Sequence, residues 1–204
     1  MADDHNEVNP NVPPSALAAR SAAPIYMVVG PPAVGKSTTS RALAARFSKG
    51  VHIPVDDLRE MVVSGKLLPG AEWSSELAQQ ISLARAGAVH IALSYHAAGF
   101  AVVIDDFWDP HHAADYRVLL DHPQAHKIIL YPEQSEAHLR NLQRAGESPG
   151  RSYIDEGIRI VYRQLAAALP ALAQGGWLVV DTTALDIAGG VSAVLQQTGM
   201  SKNS

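Results

Sequence analysis

Gly30-Pro31-Pro32-Ala33-Val34-Gly35-Lys36-Ser37 sets two glycines, a lysine and a hydroxyl at the spacing GxxxxGK[ST], a pattern suited to gripping a chain of phosphates. Gly30 and Gly35 let the backbone fold back, so that successive N–H groups face one concavity. Pro31 and Pro32 donate nothing, so the donors begin at Ala33 and run through Val34 and Gly35 to Ser37 and Thr38, at the positive end of the next helix. Lys36 brings a mobile cation to the outer phosphates, and the Ser37 hydroxyl suits Mg²⁺. A nucleoside triphosphate site is expected here.

Three further groups of polar residues each follow an apolar run. Asp56-Asp57-Leu58-Arg59 offers Asp56 as a base for an acceptor hydroxyl, while Asp57 and Arg59 contact the acceptor. The bland reading is that one of these acids caps a helix. Asp105-Asp106 closes Ala101-Val102-Val103-Ile104, the apolar strand and acid of a Mg²⁺ site. Asp105 is assigned to the metal with Ser37, and Asp106 with Trp108 to the acceptor, although the residues alone leave the order of the two acids open. Arg140, Arg144 and Arg151 lie around Gly146, Pro149 and Gly150. Arg140 and Arg144 share a helix face, and the turn after them is expected to work as a lid that carries guanidinium groups to a transferring phosphoryl group.

These groups need a scaffold that brings strand ends together. Short apolar runs at 25–29, 51–55, 101–104, 127–131 and 177–180 read as buried parallel strands. Helical patterns cover 36–48, 74–98, 112–120, 135–145, 153–169 and 187–197. Alternating strands and helices, with strands apolar on both faces, imply an α/β doubly wound parallel sheet whose ligands gather at the strand carboxyl ends.

Composition narrows the function classes. The chain has 204 residues, 47% of them hydrophobic, and no apolar run near the ~20 needed to span a bilayer. No membrane role is expected, and cytoplasm is the expected compartment. With no cysteine, thiolate catalysis and Cys-type zinc sites are excluded. A net charge of -4 argues against binding long nucleic acid. Residues 1–24 read as a disordered tail, 25–199 as one catalytic domain with its lid at about 140–152, and 200–204 as a second tail. His111 and His112 are adjacent and so point apart, which weighs against a histidine metal site. Trp73, Glu76 and Gln80 could reach an acceptor, or simply belong to an amphipathic helix.

The phosphate loop, Asp56-Asp57-Leu58-Arg59 and Arg140-Asn141-Leu142-Gln143-Arg144 together resemble the AAA_33-like P-loop hydroxyl kinases. That group includes polynucleotide 5′-kinase, zeta-toxin-like kinases, gluconate and shikimate kinases and chloramphenicol phosphotransferase. The resemblance implies a three-layer P-loop NTPase fold, with a five-stranded parallel sheet in the order 2-3-1-4-5 and a short helical lid. It implies ATP and Mg²⁺ as cofactors, Asp56 as general base, Arg59 as a clamp on an acceptor phosphate, and Lys36, Arg140 and Arg144 as catalytic cations. Arg140, Thr182 and Thr183 would also contact the nucleotide. The expected activity is transfer of the γ-phosphoryl group to a hydroxyl of a small molecule. A 5′-hydroxyl kinase for short nucleic-acid ends and a nucleotide-dependent switch are the alternatives.

Overall fold

The computed structural model describes residues 22–69, 73–110, 112–145 and 149–200. Most of each expected tail, His111 and Gly146 lie outside the described residues. In chain order the elements are β1 (Ile25–Val29), α1 (Lys36–Ala44), β2 (Gly50–Pro54), α2 (Val55–Glu60), α3 (Ser75–Ala97), β3 (Ala101–Asp105), α4 (His112–Asp115), α5 (Arg117–Leu120), β4 (Ala125–Leu130), α6 (Gln134–Ala145), α7 (Pro149–Gln174), β5 (Trp177–Val180) and α8 (Ile187–Gln197). The five strands pair in parallel in the order β2-β3-β1-β4-β5, as expected.

Every residue of β1 and β3 is buried, and strand alternation divides them between two cores. Ile25, Met27, Val29, Val102 and Ile104 face Val89 and Leu93 of α3 and Val161 and Leu165 of α7. Tyr26, Val28 and Val103 face Leu43 of α1 and Val191 and Val194 of α8. Helices on both faces cover a sheet that has no face to show to water.

Several boundaries differ from the sequence expectation. Helix α1 stops at Ala44 rather than Ser48, because a Cβ on Gly50, the first residue of β2, would come within 2.0 Å of the Ala44 carbonyl oxygen. The second strand ends at Pro54, and Val55 already belongs to α2. Asp56 and Asp57 stand in the first turn of α2 behind Pro54, which is the cap, so neither caps it; their charge still suits that end of the helix dipole. The pattern at 112–120 divides at Tyr116, whose ring turns into the core. Helix α7 begins at Pro149, a favoured first helical residue, and runs on through Pro170 to Gln174 with Leu169 and Leu172 packed on the core.

A buried charge cluster fastens the loop after β3 to α3. Arg85, 1% exposed, donates from Nε to Asp106 Oδ2 at 2.7 Å, from Nη1 to Asp115 Oδ2 at 3.0 Å and from Nη2 to Asp109 Oδ2. Tyr116 Oη also donates to Asp106, at 3.1 Å. Burial opposes the guanidinium charge, but Asp106 and Asp109 outweigh it and raise the Arg85 pKa. Burial pushes the Asp106 carboxyl up to about 6, against the pull of Arg85. Removing one partner of such a cluster strands the others. Arg85→Met should cost about 3–5 kcal/mol in urea unfolding, and adding Asp106→Asn should return part of it. A loss under about 1 kcal/mol would place the cluster outside the stability of the fold.

At the opposite end of the sheet, buried His96 of α3 donates from Nε2 to the Ala23 carbonyl at 2.9 Å. Its ring meets His122 edge-on at 4.7 Å, and Nδ1 has no hydrogen-bond partner among the described residues. Burial holds the His96 pKa below its ordinary value. The unfolded chain therefore takes up this proton first as pH falls below about 6.5, and the folded state loses stability on the acid side. His96→Gln keeps a donor for Ala23 but cannot titrate. Its unfolding free energy should fall less than the parent's between about pH 7.5 and about pH 5.5; parallel curves would exclude His96 as the source.

Candidate active site

The phosphate loop leaves β1 at Gly30, where no other residue fits: a Cβ would lie 2.4 Å from the Leu130 carbonyl oxygen of β4. Ala33 (φ 62°) and Gly35 (φ 91°) both take left-handed backbone. For Ala33 this costs about 1–2 kcal/mol, strain that the loop holds where the backbone must curl. Gly35 caps α1 without any side-chain hydrogen bond to the helix end, which suits a phosphate acceptor at that terminus.

Lys36 opens α1 and donates from Nζ to the Pro31 carbonyl at 2.8 Å, across its own loop. Burial lowers its pKa, while Asp105, Asp56 and Asp106 pull upward and Arg144 of α6 pushes down with burial. These influences place the cation, the acids of two strand ends and Arg144 within one electrostatic neighbourhood. Thr38, one residue past Ser37, is exposed on the first turn of α1.

Ser37 Oγ donates to Asp105 Oδ2 at 2.7 Å, and the other oxygen of Asp105, Oδ1, is held by His52 Nε2 of β2. A hydroxyl and a carboxylate meeting here fit Mg²⁺, which takes few protein oxygens and most of its ligands from phosphates and water. Among the described residues no group of three or more His, Cys, Asp or Glu forms a metal cage.

On the acceptor side, Asp56 is exposed and its Oδ1 accepts from Arg59 Nη1 at 2.9 Å. Arg59 also lies over the Phe107 ring, 5.6 Å from its centroid, with Arg85 at 5.2 Å. Asp57 is exposed beside them. Asp106 and Trp108, expected at the acceptor, are 1% and 3% exposed. Asp106 is spent on Arg85, Tyr116 and the Phe107 N–H, and Trp108 belongs to the apolar core. Both serve the framework beneath the site: Asp106, one residue past β3, turns to Arg85 of α3, while Asp105 turns to Ser37 of α1.

Arg140 and Arg144 do share α6, but their positions differ. Arg140 is bolted down: Nη1 donates to the Val34 carbonyl at 3.0 Å, Nη2 to the Thr182 carbonyl at 2.8 Å and Nε to Glu136 at 2.8 Å. It thereby ties the phosphate loop to the turn after β5. Arg144 is exposed. Arg151 pairs with Asp155 at 3.5 Å, and Asp155 also receives His138 and Asn141 across the α6–α7 hairpin. Thr182 is buried, while Thr183 is fixed in an Asp181 turn and accepts from the Glu133 N–H at 2.8 Å. Gln80 latches the α2–α3 connection through Gly65 and Leu67, whereas Trp73 and Glu76 are exposed. His52, Phe107 and Arg85 escaped sequence reasoning. His52 and Arg85 each stand as a polar residue inside an apolar pattern, β2 and the α3 stripe Ile81–Ala88.

No curated protein matches the chain. Among solved structures, shikimate kinase from Acinetobacter baumannii in complex with shikimate superposes with a TM-score of 0.60 at 16% identity, covering 94% of this chain and 100% of that one. The tunicamycin resistance protein of Deinococcus radiodurans gives 0.58 at 17% identity, covering 88% and 98%. A gluconokinase from Sinorhizobium meliloti gives 0.56 at 16%, covering 88% and 93%. At these identities the likeness is one of fold. Residues 25–168 match AAA_33, an AAA domain, and the chain belongs to that family.

Proposed function

We propose that the chain is an ATP-dependent phosphotransferase that moves the γ-phosphoryl group to a hydroxyl of a small molecule. One observation carries this reading: the exposed Asp56 carboxylate stands on α2, outside the phosphate loop, yet close enough to raise the proton affinity of Lys36. A module that only hydrolyses or senses nucleotide has no need of a second, exposed carboxylate near its lysine. A two-substrate site does.

In this reading the amides from Ala33 to Thr38 hold the triphosphate, and Lys36 leaves Pro31 to carry charge on the transferring group. Mg²⁺, when bound, would offset the charge of the phosphates, with Ser37 and Asp105 as the residues to hold it. Asp56 accepts the acceptor hydroxyl's proton, oriented by Arg59. Arg140 keeps the phosphate loop and the 182–183 turn together around the nucleotide, and Arg144 reaches the phosphoryl group from the lid. Catalysis rests mainly on positioning and charge.

The charges around α2 favour a neutral or cationic acceptor. Asp56 and Asp57 are exposed, while Arg59 pairs with Asp56, Lys66 with Glu60, and Arg85 with Asp106, Asp109 and Asp115. An anionic nucleic-acid end would meet carboxylates before it met an available cation.

Asp56→Asn should reduce transfer by ~10²-fold or more with ATP affinity nearly unchanged. Lys36→Ala should weaken both ATP binding and turnover. Both are read by isothermal titration and by phosphate transfer to a panel of sugars, aminoglycosides, nucleosides and oligonucleotide ends. A panel with no transfer above background ATP hydrolysis would reject the phosphotransferase reading in favour of a nucleotide switch, and unchanged turnover in Asp56→Asn would remove Asp56 as the base.

A further inference from the structure

His52 is the one polar side chain on β2, Gly50-Val51-His52-Ile53-Pro54, and its place follows from strand geometry. Parallel register sets His52 beside Val103 and Pro54 beside Asp105. Alternation sends Ile53 into the α3 and α7 core, and Val103 into the α1 core. His52 and Asp105 therefore project to the α1 face, on diagonal positions of neighbouring strands. Ser37, on the first turn of α1, meets the same carboxylate from above.

We propose that His52 is a positioning residue for the cation end of the site, fixing the Asp105 carboxylate so that Oδ2 stays turned toward Ser37. The proposal builds on the phosphotransferase reading only in taking ATP and Mg²⁺ as the ligands of the loop. Asp105 is 5% exposed, with Oδ1 held by His52 Nε2 and Oδ2 by Ser37 Oγ. With both oxygens bonded from different elements, the carboxylate has one orientation. Without His52, Oδ1 would lose its donor in a buried place and be free to turn toward Lys36, whose charge Asp105 favours more than Asp56 or Asp106 does. A carboxylate turned to Lys36 would spoil the Ser37–Asp105 pair that is to meet the cation. His52 thus keeps the anion and the cation of the site apart. Neighbours that hold a ligand in this way carry about 10-fold to 100-fold in metal affinity.

The test compares parent, His52→Leu and His52→Gln, all checked for folding by thermal unfolding. ATP is titrated calorimetrically in EDTA and then at rising Mg²⁺, and Mn²⁺ is titrated into the ATP complex by electron paramagnetic resonance. His52→Leu should raise the half-saturating Mg²⁺ and Mn²⁺ concentrations by about 10-fold or more while leaving metal-free ATP binding near the parent's. His52→Gln, which keeps an N–H at the position of Nε2, should recover most of the shift. Three results would overturn the role: unchanged metal dependence in His52→Leu, no recovery in His52→Gln, or an equal fall in metal-free ATP binding. The readout involves no acceptor. A parent that binds MgATP but phosphorylates nothing defeats the phosphotransferase reading and leaves the His52 result standing, whereas a parent that binds no ATP defeats both.

Discussion

Burial of β1 and β3 on both faces is the constraint on which the site depends. A strand packed between two helical layers favours apolar side chains along its length, because burying a charged one without a partner costs several kcal/mol. Charged residues of such strands collect at the ends, and the parallel arrangement brings the carboxyl ends to one edge. Gly30 follows β1, Asp105 ends β3 with Asp106 directly after it, and Asp56 follows β2 on that edge. Close packing also fixes residue identity there. Gly30 is pressed so near the Leu130 carbonyl of β4 that the loop's path is set by the sheet before any nucleotide arrives.

The same constraint separates two acids that are neighbours in sequence. Successive residues of a strand point to opposite faces. Asp105 turns to α1, where Ser37 and His52 meet it, and Asp106 turns to α3, where Arg85 and Tyr116 receive it. Their carboxylates are thereby bonded to different elements. Phe107 then joins the halves, because the buried Arg85 and the outer Arg59 both lie over its ring.

Strand number, the parallel sheet and the phosphate loop were legible in the sequence because they rest on local signals, short apolar runs and a complete motif, with one handedness rule; the sheet order came only from the family resemblance. Helix α8 and strand β5 keep the expected limits for the same reason. What could not be read were effects of distant partners. Helix α1 ends early because Gly50 arrives on it, the 112–120 pattern divides because Tyr116 is wanted by Asp106, and α7 continues past Pro170 because its apolar face stays on the core. At the site, the acids and arginines were visible as types, but their partners were not. Arg140 looked like a mobile lid cation and is held by two carbonyls. His52 carried a faint signal, a lone imidazole in an apolar strand, which acquires meaning only once the β2–β3 register is known.

Charge is distributed unevenly across this edge, and the unevenness bears on how the site would work. Toward the phosphate loop lie Lys36, the end of α1, Arg140 and Arg144; toward α2 lie Asp56 and Asp57 with their cations already engaged. Lys36 is itself disfavoured as a cation by burial, so a polyanion in the loop would relieve it, and binding and lysine charge would reinforce each other. A triphosphate therefore has one side on which to lie. On the proposed reading its outermost phosphate would lie between Lys36 and Asp56, where an acceptor hydroxyl would give its proton to the carboxylate as it attacks phosphorus while Lys36 offsets the charge on the phosphoryl oxygens.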